Sequence, residues 1–190
     1  PFAVCENRVN GIRRLMNKIP DLQCVILDDA FQYRHLKAGL NILLTASDNL
    51  FVTDKMLPLG KLRDNKIQYL RANIIVVTKC PETLRPIDKR VIDTSLHLPT
   101  YQHLYFSQIQ YGEMYPVFPE HALPIPERSK MFPLVLTGIE DPQPLFDHIK
   151  ETHTNAELLA FPDHHVFTTA DIELVRTAPY VITTEKDAAR

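Results

Sequence analysis

The sequence predicts an α/β protein built on mostly parallel sheet with flanking helices. Two observations carry this: short unbroken runs of Ile, Leu and Val that read as strands buried on both faces, and helix-length segments between them. A composition of 45% hydrophobic and 23% charged residues is that of a globular chain with a core to bury. A length of 190 residues accommodates one large domain or two small ones.

In chain order, Val9, Ile12, Leu15, Met16 and Ile19 recur at helical spacing, and Pro20 stops that helix. Cys24-Val25-Ile26-Leu27 predicts a buried strand closing on Asp28 and Asp29, which places those acids at the carboxyl edge of a sheet, where open α/β folds bind ligands. Asn41 to Thr45 and Asn73 to Thr78 predict two more strands, separated by a loop at Pro58-Leu59-Gly60 and a helical stretch through Leu70. Pro81 suits the first turn of a helix reaching about Ile92.

The stretch from Pro99 to Pro126 changes character. Tyr101, Tyr105, Phe106, Tyr111, Tyr115 and Phe118 around Gly112 predict a two-stranded hairpin from about Gln102 to Phe118. The prolines from Pro119 to Pro126 then form a connector, with a domain boundary near Lys130. A second, smaller α/β unit follows. Phe132 to Thr137 predicts its first strand, and Asp141 and Pro142 open a helix that turns Leu145, Phe146 and Ile149 inward. Ala156 to Phe161 predicts the next strand, and Thr168 caps a helix with Asp171 at its third position and Phe167 and Ile172 at the staple positions. Tyr180 to Thr183 is the last strand, after which Thr184 and Asp187 stand in capping-box positions. The expected organisation is 1–98 as a first unit, 99–130 as linker and 131–190 as a second unit.

Charge and cysteines narrow the function classes. A net charge of -2, from 21 Lys+Arg against 23 Asp+Glu, gives no electrostatic footprint for nucleic acid. Cys5, Cys24 and Cys80 are too few and too scattered for a disulfide framework or a four-ligand zinc site, which fits a reducing compartment. No apolar run approaches the roughly 20 residues that cross a bilayer, and no cationic start leads into a signal-like stretch. The chain opens on Pro1 and closes on Arg190 inside a charged motif, so it is expected to be an internal piece of a longer protein.

Several clusters can carry chemistry, each with a plainer reading beside it. Asp28 and Asp29 after an apolar run match the way a nucleotide-binding sheet holds Mg²⁺, and equally match a capped turn. Phe31, Gln32, Tyr33, Arg34 and His35 add an amide, a cation and an imidazole, or form an ordinary helix start. Arg63 and Asp64 follow a turn that can deliver both charges to a sheet edge, or form a surface salt-bridged end. Lys79 ends a strand where it can meet a phosphate, or is a solvated loop lysine. Asp163, His164 and His165 combine a carboxylate with imidazoles between a strand and a capped helix, the recipe for taking a proton from a hydroxyl nucleophile. The glycines, Gly11, Gly39, Gly60, Gly112 and Gly138, are scattered, so no phosphate-cradling loop lies in this chain.

Taken together and in order, six motifs resemble the tetraacyldisaccharide 4'-kinases, the lipid A 4'-kinases of Gram-negative bacteria. They are Val25 to Arg34, Leu57 to Asp64, Val76 to Lys79, Leu136 to Ile139, Phe161 to His165 and Thr184 to Asp187, so the resemblance runs through essentially the whole chain. It implies a partial P-loop kinase core lacking its phosphate-binding loop, a two-stranded linker and a second α/β domain. It also implies ATP-dependent phosphorylation of the 4'-hydroxyl of a tetraacyl glucosamine disaccharide 1-phosphate, by a peripheral protein on the cytoplasmic face of the inner membrane. The rivals are a P-loop kinase or synthetase acting on a soluble substrate, and a non-catalytic nucleotide-binding piece.

Carried over residue by residue, the resemblance makes Asp28 and Asp29 organisers of Mg²⁺ and of the attacking groups, with Asp29 also an expected catalytic residue, joined at the metal by Asp64, which stands where the family usually has glutamate. Arg63 matches an active-site arginine and Gln32 the glutamine behind the paired acids; Gln32 and, from its place at a strand end, Lys79 are the expected cofactor-binding residues. His164 matches the histidine paired with an acid to activate the lipid hydroxyl, an acid that the family carries upstream of the first residue here, and His165 is its neighbour. Ala30 replaces the family's usual glycine and Tyr33 its usual histidine. A left-handed backbone at Ala30 would cost roughly 1 kcal/mol, whereas a negative φ would cost nothing.

Overall fold

The apolar runs Ile74–Thr78 and Pro133–Thr137 become the central strands of two separate parallel sheets. The computed structural model describes residues 2–121 and 132–189, which fall into two units, Pro1–Gly112 and Glu113–Arg190.

In the first unit, α1 (Arg8–Lys18) starts where the Asn7 side chain accepts from the Asn10 N–H at 3.1 Å. β1 (Ile42–Ala46), β2 (Ile74–Thr78) and β3 (His103–Phe106) form a parallel sheet in that order, with Ile42 opposite Ile74 and Ile74 opposite His103. A 3-10 helix, Lys66–Arg71, precedes β2, and α2 (Pro86–Leu96) crosses from β2 to β3. Phe51, Ala72, Ile75, Val77, Cys80 and Leu96 make the core. Burial pushes the Cys80 thiol up, so it is a packing residue rather than a nucleophile.

In the second unit, β4 (Pro133–Thr137) lies between β5 (Glu157–Ala160) and β6 (Tyr180–Thr183), again all parallel. α3 (Gln143–Thr152) packs Ile149, Leu145 and Phe146 around Val135, Ala156 and Ile182, as the inward stripe predicts. α4 (Thr169–Val175) carries the expected capping box, Thr168 Oγ1 accepting from Asp171 N–H and the Asp171 carboxylate accepting from Thr168 N–H at 2.8 Å. The short α5 (Glu185–Ala188) is capped by Thr184, whose Oγ1 accepts from Asp187 N–H at 3.1 Å, and Tyr115 O–H donates to Glu185 at 2.9 Å.

Three expectations are corrected. Residues 22–27 form no regular element and pair with no strand among the described residues, and Ile26 is 90% exposed. Four apolar residues set a propensity, but a strand also needs a hydrogen-bonding neighbour. The hairpin around Gly112 does not form: His103–Phe106 joins β2 in parallel, Ser107 N–H continues to Val77 O at 2.9 Å, and residues 107–116 run on without a ladder. No glycine among the described residues has positive φ, which removes the conformation that tight hairpin turns demand. The helix assigned to Pro81 begins instead at Pro86, where the Asp88 carboxylate accepts from Arg85 N–H at 3.1 Å. The expected boundary near Lys130 and most of the proline connector lie outside the described residues.

Candidate active site

In the first unit the Lys55–Asp64 loop is shaped by Asp54. One carboxylate oxygen accepts from Lys55 N–H at 2.7 Å and from Lys61 N–H at 3.2 Å, while Leu57 and Leu62 close the loop by N–H to O bonds with Leu62 and Lys55. A Cβ at Gly60 would sit 2.2 Å from Lys55 O, so only glycine allows the backbone this close. Out of this loop come Arg63 and Asp64, both engaged. The Arg63 guanidinium grips both carboxylate oxygens of Asp29, one at 2.8 Å, and Arg34 grips both oxygens of Asp64 at 2.8 and 2.9 Å. These contacts hold both carboxyls below their ordinary range, Arg63 doing so for Asp29 and Arg34 for Asp64.

Asp29 sits in a left-handed turn at φ 45°, braced by Gln32 Nε2, which donates to the Asp29 carbonyl at 3.2 Å. Ala30, next to it, has no positive φ, so its replacement of glycine costs no backbone strain. Tyr33 packs edge-on to His35 and under the Arg8 guanidinium. Lys79 is exposed beyond β2 at φ 55°, its carbonyl accepting from Ser47 Oγ at 2.9 Å.

In the second unit the turn after β5 presents His164 at φ 61°, with its ring 75% exposed. His164 N–H bonds Asp163 Oδ1 at 2.9 Å and the Gly138 carbonyl at 3.2 Å. Asp163 Oδ2 lies 3.3 Å from His164 Nε2, and Asp163 Oδ1 accepts from Lys186 Nζ at 3.2 Å. Partial burial pushes the Asp163 carboxyl up, but the Lys186 hydrogen bond and the His164 and Lys186 charges outweigh it and leave it below its ordinary range. His165 turns the other way. It stacks on Phe161 at 4.5 Å, meets Phe167 edge-on and bonds Asp171 at 3.0 Å, which makes it a scaffold imidazole.

Thus the structure joins Asp29, Arg63 and Gln32 in one place, ties Asp64 to Arg34, and leaves Asp28 exposed at the turn. No group of three or more His, Cys, Asp or Glu side chains converges among the described residues. Mg²⁺ does not require one, because it takes one or two hard carboxylates together with phosphate oxygens and waters, and the exposed acids Asp28 and Asp29 offer that chemistry. Of the non-glycine residues described, Asp29, Lys79, His97 and His164 have positive φ, so three of these four left-handed positions fall on candidate site residues. Sequence reading missed Arg34 as the partner of Asp64 and Lys186 as the partner of Asp163. Those partners stand 30 and 23 residues apart, beyond any local pattern.

Fold and residues together define a two-unit α/β protein with parallel sheets, with Lys79 and His164 on turns that follow strands. The whole chain, residues 1–190, matches the family model for tetraacyldisaccharide-1-P 4'-kinase, LpxK. Among curated relatives, the tetraacyldisaccharide 4'-kinase of Bacteroides thetaiotaomicron is 40% identical over 100% of this chain and 54% of its own length. That of Flavobacterium johnsoniae is 42% identical over 99% of this chain and 55% of its own. A crystal structure of LpxK from Aquifex aeolicus, described as an "apo" form in complex with ATP, superimposes with a TM-score of 0.64 at 22% identity, covering 97% of this chain and 53% of that one. The chain belongs to the tetraacyldisaccharide-1-P 4'-kinase family, and it spans about half the length of the curated relatives it matches.

Proposed function

We propose that the whole protein carrying this sequence transfers the γ-phosphoryl group of ATP to the 4'-hydroxyl of a tetraacyl glucosamine disaccharide 1-phosphate, in lipid A biosynthesis. The observation that carries it is the family match across all 190 residues, with the motif residues standing on two built turns at Asp29 and His164. Peripheral action at the cytoplasmic face of the inner membrane is part of this reading; no helix among the described residues is long and apolar enough to cross a membrane.

In this reading His164 takes the proton of the sugar hydroxyl, whose oxygen attacks the γ-phosphorus as the bond to the leaving ADP oxygen breaks. An acid elsewhere in the whole protein completes the pair with His164. Arg63 neutralises charge on the transferring phosphoryl group, and Gln32 and Lys79 serve the nucleotide. Asp28 and Asp29, with Asp64 as the third acid of this reading, would hold Mg²⁺, which would supply further neutralisation of the phosphates. Arg63 and Asp29 are 56% and 60% exposed, and ion pairs in that setting contribute little, so exchanging each other for a phosphate and a cation is cheap.

The test is an ATP-dependent phosphorylation assay on the whole protein, with the lipid disaccharide and a panel of soluble hydroxyl acceptors. Labelling of the lipid at its 4' position is expected, while residues 1–190 alone turn over negligibly. Equal or preferred labelling of a soluble acceptor would replace the lipid reading with that of a soluble-substrate kinase.

A further inference from the structure

The turn that carries His164 is held by chain remote from it in sequence. Gly138, just past β4, accepts from His164 N–H at 3.2 Å. A Cβ on Gly138 would lie 3.2 Å from His165 Cβ, 3.4 Å from Pro162 O and 3.5 Å from Asp187 Oδ1, so the turn rests directly on that glycine. Asp187 in turn fixes the glycine. Only 4% exposed, its carboxylate accepts from Thr137 Oγ1 at 2.9 Å, Gly138 N–H at 3.2 Å and Thr184 Oγ1 at 2.8 Å.

Capping of α5 explains the bond to Thr184 and nothing more. The bonds to Thr137 and Gly138 span 50 and 49 residues, and they tie the end of β4 to the start of α5. The preceding residue reaches the same turn from the outside, where Lys186 Nζ holds Asp163 Oδ1 at 3.2 Å and Asp163 Oδ2 faces His164 Nε2 at 3.3 Å. One helical turn therefore fixes the backbone of the His164 turn through Asp187 and the side-chain partner of its imidazole through Lys186.

We propose that Lys186 and Asp187 are positioning residues for His164, setting where its imidazole stands and how it is oriented. The proposal rests on the reading of His164 as the base. Lys186 is 47% exposed, where an ion pair adds little to stability. Its loss should therefore disturb the orientation of the imidazole and leave the fold intact.

In the whole protein, Lys186→Ala is expected to lower kcat about tenfold with KM for ATP unchanged, since small misplacements of a catalytic group are costly. Lys186→Arg is expected to restore most of that loss. The ¹⁵N and ¹H ring resonances of His164 should shift in Lys186→Ala, while those of His148 and His153 stay in place. Asp187→Asn should move the backbone amide signals of Gly138 and His164 as well. If that buried substitution prevents folding, Lys186→Ala carries the test alone.

Unchanged His164 resonances in Lys186→Ala would overturn the proposal, whether or not kcat falls. A wild-type protein that leaves the lipid disaccharide unphosphorylated would refute the functional reading, and the resonances would still decide the positioning.

Discussion

The two sheets have the same number of strands and the same direction, and differ in how fully they are covered. In the second unit Val135 and Thr137 are 0% exposed and Leu136 is 6% exposed, so both faces of the central strand are covered. In the first, Ile75 and Val77 are enclosed on one face, while Leu44 on β1 is 63% exposed and Tyr105 on β3 is 55% exposed. An apolar run states that a parallel strand needs cover on both faces, but not what supplies it. The same difference separates the candidate residues of each unit: exposed ion pairs in the first, a turn seated on a buried carboxylate network in the second.

The largest effects that sharpen this comparison are in packing. In the 190-residue chain, Leu136→Ala should cost about 2–5 kcal/mol of unfolding free energy in denaturant titrations. Leu44→Ala should cost less than about 0.5 kcal/mol, as for an exposed position. Equal costs would mean that the face carrying Leu44 is covered after all, and the comparison would break.

A smaller effect is expected in acid. Asp171 is lowered from 3.8 to about 2, first by its backbone hydrogen bond from Thr168 and then by His165. A carboxyl depressed on folding adds stability that is present above its unfolded value of 3.8 and is lost as pH falls through about 2. The stability gap between wild type and Asp171→Asn should therefore be steady at neutral pH and close across that acid window, read from unfolding curves at stepped pH. A gap that persists unchanged below pH 2 would show that Asp171 acts by packing rather than by its charge.

Legibility followed the same divide. The second unit was readable almost element by element, because Thr168 with Asp171 and Thr184 with Asp187 cap within four residues and the stripe Leu145, Phe146 and Ile149 repeats with the helix. The first unit misled where local pattern needs a distant partner. Cys24 to Leu27 has strand composition without a neighbouring strand among the described residues, and the aromatic alternation around Tyr105 reads as a hairpin although His103–Phe106 pairs with β2. Among the candidate residues, Asp29, Arg63 and His164 are named from residue types and their order. The pairings of Asp64 with Arg34 and of Asp163 with Lys186, set by tertiary geometry, left no trace in spacing.

The most direct test is turnover of the lipid disaccharide by the whole protein with His164→Ala, measured at saturating ATP. Loss of the base predicts a fall of about 10²-fold or more in kcat, with the protein still folded. Turnover near that of the wild type would remove His164 from the chemistry and, with it, the proposed account of phosphoryl transfer.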